Sequence, residues 1–273
     1  MQKFISVLLV FVSFFTAHFA QIEIKINPEK YNLIDPDVSA LPAPVEQPVG
    51  DGFVQLSEVK MHYVVYGSGE TPLILIHGNG GSADSLKSLA QLLANHYTVY
   101  AIESRCHGQS SDPGVITYEL MAKDVVEFGR ALGLDKPLLM GHSDGGMVTL
   151  AAAANYPDFA RAIISCGSNS KPSGFWPYFP FGVFVNNLFH PDKLNDLMLY
   201  EPDFTAEYLG RITCPAYIVC GEYDIMKLTD HLFIHESVPN SDFCVVKGAV
   251  HGDYLRDGRA YVLAMDWLTA KGL

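Results

Sequence analysis

From residue 53 to the C-terminus, short apolar runs alternate with stretches whose apolar positions recur every three to four residues. The segment 53–67, "FVQLSEVKMHYVVYG", reads as a hairpin of two strands. The run "LILI" follows, and "SADSLKSLAQLLANH" (82–96) has helical spacing. Strand "YTVYAIE" precedes helix "YELMAKDVVEFGRALG", and strand "PLLMG" precedes helix "GGMVTLAAAANY". Strands "RAIISCG", "AYIVCG" and "FCVVKG" come next, and "AYVLAMDWLTAK" closes the chain as a helix. Continuously apolar strands separated by helices predict an α/β fold, a mostly parallel eight-stranded sheet covered by helices on both faces. Ligands of such sheets bind beyond the carboxyl ends of the strands.

The N-terminal fifty residues follow another pattern. "MQKFISVLLVFVSFFTAHFAQ" has a basic start at Lys3, an apolar run from Phe4 to Phe15, and small residues at Ala17 and Ala20. Residues 1–20 therefore read as a signal peptide for export, periplasmic or secreted, with an uncleaved membrane anchor as the alternative. Five prolines between residues 21 and 50 predict an extended linker. The folded domain is then expected at 51–273. Composition agrees with one such domain: 273 residues, 49% hydrophobic. Eighteen Lys plus Arg against 30 Asp plus Glu, a net −12, exclude a nucleic-acid partner. Membrane contact is expected only through the N-terminal segment. The five cysteines, Cys106, Cys166, Cys214, Cys220 and Cys244, are odd in number and lie mostly in apolar runs, so they read as free thiols.

Candidate chemistry collects at the strand ends. Gly141-His142-Ser143-Asp144-Gly145 matches G-x-S-x-G between a strand and a helix, the layout that lifts a nucleophilic hydroxyl above a sheet. A serine nucleophile needs a base, and the base needs an orienting acid. In the elbow arrangement the order is Ser, acid, His. Asp224 follows "AYIVCG", and His251 follows "FCVVKG". Glu222 competes with Asp224 for the acid; Asp224 lies further into the loop and has the shorter side chain. His231 and His235 share a helical face, which reads as a solvated face because no third metal ligand is evident. The turn "HGNGGSA" allows two readings. Gly78, Gly80 and Ala83 fit the dinucleotide fingerprint, with Glu103 placed as the ribose-binding acid. Alternatively, the loop donates a backbone N–H to an oxyanion.

Together "HGNGG", "ESRCHGQSS", "GHSDGG", "GEYD" and "GAVHG" resemble the α/β-hydrolase fold superfamily over about residues 52–271. The resemblance implies an α/β-hydrolase fold with a cap insertion at 171–213. It also implies a catalytic Ser143, Asp224 and His251, and an oxyanion hole from the N–H groups of Asn79 and Asp144. The implied reaction is hydrolysis of a carboxylic ester or related acyl bond of a small to medium substrate through an acyl-enzyme. Amide, N-terminal peptide or carbon–carbon hydrolysis on the same triad is the alternative, and a non-enzymatic binding protein the third reading. No cofactor and no metal are expected. The cap segment is rich in aromatics, among them Trp176, which is expected to line the substrate cleft. Relatives with a similar S-D-G-G elbow, the valacyclovirase-like ester hydrolases, imply a second reading for Asp144. Its carboxylate would meet a cationic substrate group instead of only favouring the helix start.

Overall fold

The computed structural model describes residues 31–273, and the signal-peptide reading lies outside the described residues. Nine strands form one sheet in the order β1-β9-β8-β7-β6-β4-β5-β3-β2. They are β1 (Leu33–Ile34), β2 (Gly50–Gln55), β3 (Lys60–Tyr66), β4 (Pro72–Ile76) and β5 (Thr98–Ile102). The rest are β6 (Leu138–His142), β7 (Ala162–Cys166), β8 (Ala216–Gly221) and β9 (Ser241–Val246). Only the pairings β2–β3 and β3–β5 are antiparallel; β4 through β9 pair in parallel. Every residue of β7 and β8 is buried, which is why both read as unbroken apolar runs.

The sequence predicts eight strands, and the sheet has nine. The ninth, β1, comes from the proline-rich stretch for which the sequence predicts a linker. Leu33 and Ile34 pair in parallel with Val245 and Val246, and Asn32 Nδ2 donates to the Phe243 carbonyl at 3.1 Å. Further on, Val45 N–H donates to the Gln91 carbonyl at 2.9 Å. Proline bars this segment from helix and central strand, and β1 is accordingly short and at the sheet edge.

Helices α1 (Lys87–Leu93), α2 (Tyr118–Ala131), α3 (Asp144–Asn155), α7 (Leu228–Ser237) and α8 (Arg259–Lys271) cover the sheet. The expected helix at 82–96 opens instead as a 3₁₀ turn, Ala83–Leu86, before α1. Two apolar clusters result, one on each face. Phe128, Val148 and Ile218 belong to one, and Leu93, Val219 and Trp267 to the other. Between β7 and β8 the chain leaves the sheet to form α4 (Tyr178–Phe189), α5 (Lys193–Tyr200) and α6 (Ala206–Leu209). Asp192 and Thr205 cap α5 and α6 through side-chain oxygens that accept the Leu194 and Tyr208 N–H groups. No residue of α4 is buried, so this helix lies outermost over the strand ends. Among the described residues no helix is long and apolar enough to cross a membrane.

Candidate active site

β6 ends at His142, and α3 begins at Asp144. Ser143 between them has φ 54° and ψ −118°. A non-glycine residue there is strained, and the surroundings hold it in place. Its N–H donates to the Cys166 carbonyl at 2.8 Å, and its carbonyl accepts from Met147 N–H at 3.1 Å. The flanking glycines are steric necessities. A Cβ on Gly141 would collide with the Gly145 carbonyl, and one on Gly145 with the Ile76 carbonyl. The amide of Asp144 is the first of α3 and has no partner within the helix.

Ser143, His142 and His251 share one cavity of about 450 Å³ with Gly78, Asn79, Phe175, Phe179 and Met198. Behind His251 stands Asp224, its side chain 2% exposed and its Oδ1 2.8 Å from His251 Nδ1. Asp224 also accepts the N–H of Met226 at 3.2 Å and of Gly221 at 3.3 Å. Burial alone would raise its pKa. The charge and hydrogen bond of His251 outweigh burial and hold the carboxyl far below the usual range. Glu222, the competing acid, points elsewhere, accepting Gly248 N–H at 2.7 Å.

The elbow motif leaves position 142 open, so the sequence carries no signal for His142. Its ring lies 4.7 Å from that of His251, and its Nε2 is 2.8 Å from the His251 carbonyl. The carbonyl can only accept, so Nε2 carries the proton. Burial and the neighbouring His251 push the His142 pKa down to about 3, so the ring stays neutral. His77 is a second such residue. Its Nδ1 donates to the Gly78 carbonyl at 2.8 Å, and its Nε2 accepts Ser104 N–H at 3.1 Å. This fixes the glycine turn beside Ser143.

That turn is not a dinucleotide site. Glu103 is 4% exposed, and its carboxylate accepts the N–H groups of Ala83 and Gln109. The acid holds two loops together and has no free face for a ribose. Arg105 nearby is fully buried and pairs with Asp124 at 2.6 Å, so this motif is architectural.

Three further expectations change. The Asp144 carboxylate does not stand in the cleft. It is 1% exposed and absent from the cavity wall, accepting Asn79 Nδ2 at 2.9 Å and Tyr118 hydroxyl at 3.0 Å. Burial raises its pKa. Trp176 does not line the cavity either; its neighbours Phe175 and Phe179 do, stacked at 4.7 Å. His231 is fully buried where a solvated face was expected, because α7 lays it against the sheet. His235 instead meets Ser241 Oγ at 2.9 Å. Asn79 Nδ2 also donates to the Leu194 carbonyl at 3.1 Å, tying turn, elbow and α5 together.

All five cysteines are free thiols, and burial raises their pKa values, to about 11 at Cys106, the least buried. None is a thiolate nucleophile at neutral pH. Among the described residues no group of three or more His, Cys, Asp or Glu could hold a metal ion.

The family model for the alpha/beta hydrolase fold matches residues 71–201. The human serine hydrolase BPHL is 29% identical over 237 residues, spanning 74% of this chain and 80% of the human protein. Esterase YbfF of Escherichia coli (strain K12) is 38% identical over 84 residues, 31% of this chain and 33% of that esterase. The crystal structure of the enol-lactonase from Burkholderia xenovorans LB400 matches with a TM-score of 0.65 at 18% identity. It covers 80% of this chain and 99% of the lactonase chain, a likeness of fold.

Proposed function

The chain belongs to the α/β-hydrolase superfamily and is a hydrolase of that fold, and on this footing we propose that it cleaves carboxylic esters through Ser143, His251 and Asp224. One observation carries the reading. Ser143, strained at φ 54°, shares a cavity with His251, whose Nδ1 lies 2.8 Å from the buried Asp224 carboxylate.

In this mechanism His251 Nε2 takes the Ser143 proton as Oγ attacks the ester carbonyl. Asp224 keeps the Nδ1–H tautomer and stabilises the imidazolium. The oxyanion is met by the N–H groups of Asn79 and Asp144, the second adding the positive end of α3. His251 then protonates the departing alcohol. A water activated by the same base cleaves the acyl-enzyme. Asp144 thus serves through its backbone, while its carboxylate holds Asn79. The aromatic wall and the modest cavity favour small to medium acyl groups.

Fluorophosphonate labelling and a panel of p-nitrophenyl esters test the proposal. The wild type is expected to be labelled and to turn over esters, and Ser143→Ala to lose labelling and about 10⁴-fold or more in kcat. Turnover by Ser143→Ala near that of the wild type would refute it.

A further inference from the structure

The wall of the cavity over Ser143 contains no Asp or Glu, and its single Lys or Arg is Arg256. In a chain of net charge −12 this is an unusual place for an unopposed cation. Arg256 is solvent-exposed at one side, and its guanidinium has no hydrogen bond or ion pair to any described residue. The acids nearest in sequence are already engaged. Asp253 and Asp257 pair with Arg259, at 3.2 Å and 2.7 Å. Asp253 also accepts the N–H groups of Val250 and Tyr254. Asp144, the acid beside the nucleophile, is sealed by Asn79 and Tyr118. The His142 ring on the same wall is neutral, and the Arg256 charge is one of the influences that keep it so.

We infer that Arg256 is a specificity-determining residue that selects esters bearing a carboxylate. A guanidinium offers a planar fork of donors that matches a carboxylate's two oxygens, and an unengaged one needs no existing partner displaced. Gly252 and Leu255, from the loop that also carries His251, line the same cavity as Arg256 and Ser143. The selected substrate is a small half-ester of a dicarboxylic acid. This is opposite in charge to the substrate implied by an exposed Asp144.

The inference rests on the ester-hydrolase reading, and the test separates the two. The substrates are mono-p-nitrophenyl adipate and its methyl-capped diester, each corrected for uncatalysed hydrolysis. Wild type is expected to favour the half-ester in kcat/KM, mainly through KM. Arg256→Gln should lower the half-ester to diester ratio about tenfold, Arg256→Lys should retain part of it, and Arg256→Glu should invert it. High salt should shrink the wild-type ratio, because the guanidinium is partly in water. A ratio that stays within about twofold in Arg256→Gln overturns the inference while leaving the hydrolase reading intact. If wild type cleaves neither ester, the ester reading fails, and adipate binding decides the inference. Thermal stabilisation by adipate in wild type and its loss in Arg256→Gln supports it; equal stabilisation of both overturns it.

Discussion

Asp224→Asn removes one charge and keeps the shape of the side chain. Three donors converge on the native carboxylate, His251 Nδ1 at 2.8 Å and Met226 N–H at 3.2 Å on Oδ1, and Gly221 N–H at 3.3 Å on Oδ2. An asparagine with its oxygen at the Oδ1 position satisfies the first two. Its NH₂ then faces only the long Gly221 contact. The reversed amide would set NH₂ against two donors, so the first orientation wins and the His251 tautomer survives. The loss is then one of charge. Two unit charges about 4 Å apart at an effective dielectric of about 20 attract by about 4 kcal/mol. The retained neutral hydrogen bond returns about 1 kcal/mol. The remaining ~3 kcal/mol corresponds to a fall of roughly a hundredfold in kcat. The assay is kcat for a p-nitrophenyl ester across pH, with ¹⁵N NMR reporting the tautomer. The acid limb should move to lower pH, because the imidazolium loses its counter-charge. Glu222→Gln, which only loosens a contact to Gly248, should stay within about twofold. A loss under about tenfold with an unmoved acid limb would refute the reasoning, and greater damage from Glu222→Gln would move the acid to Glu222.

Gly145→Ala puts a methyl group against the backbone of Ile76 and His77, with the His77 carbonyl 2.8 Å away, so the elbow must shift. A destabilisation of about 2 kcal/mol or more in urea is expected, together with slower fluorophosphonate labelling; an unchanged midpoint would contradict the packing argument. His142, with its pKa down at about 3 from 6.5, links stability to pH. Below the unfolded value the unfolded chain takes up a proton that the folded chain refuses, so stability is lost as pH falls from about 6.5 toward about 3. Near pH 4.5 this amounts to about 2–3 kcal/mol, and His142→Gln should flatten that slope in denaturation curves taken across pH; an equal slope in the variant would refute it.

Much of the site was legible because its requirements are local. The strand-to-helix turn demanded glycine at 141 and 145, and their collisions with Gly145 and Ile76 show why. The apolar runs announced a parallel sheet, and His77, Ser143, Asp224 and His251, each just past the end of one, lie at the same end of the sheet. The sequence by itself determined that Ser143, Asp224 and His251 each follow a strand, β6, β8 and β9, and a parallel sheet carries all such turns to one end.

Only the tertiary structure decided where the other charges face. Asp144 adjoins Ser143, yet its carboxylate is claimed by Asn79, 65 positions away, and by Tyr118, 26 away, so it leaves the cavity. Arg256 belongs to no motif, and only the folded chain shows the neighbouring acids Asp253 and Asp257 bound to Arg259. His231 reads as exposed by helical spacing, but α7 turns it inward. Leu33 and Ile34 find the sheet only because β9, more than 200 residues on, presents a free edge. Backbone geometry is set by neighbours in the chain, whereas a side chain's direction and charge state follow from partners that folding brings from far along it.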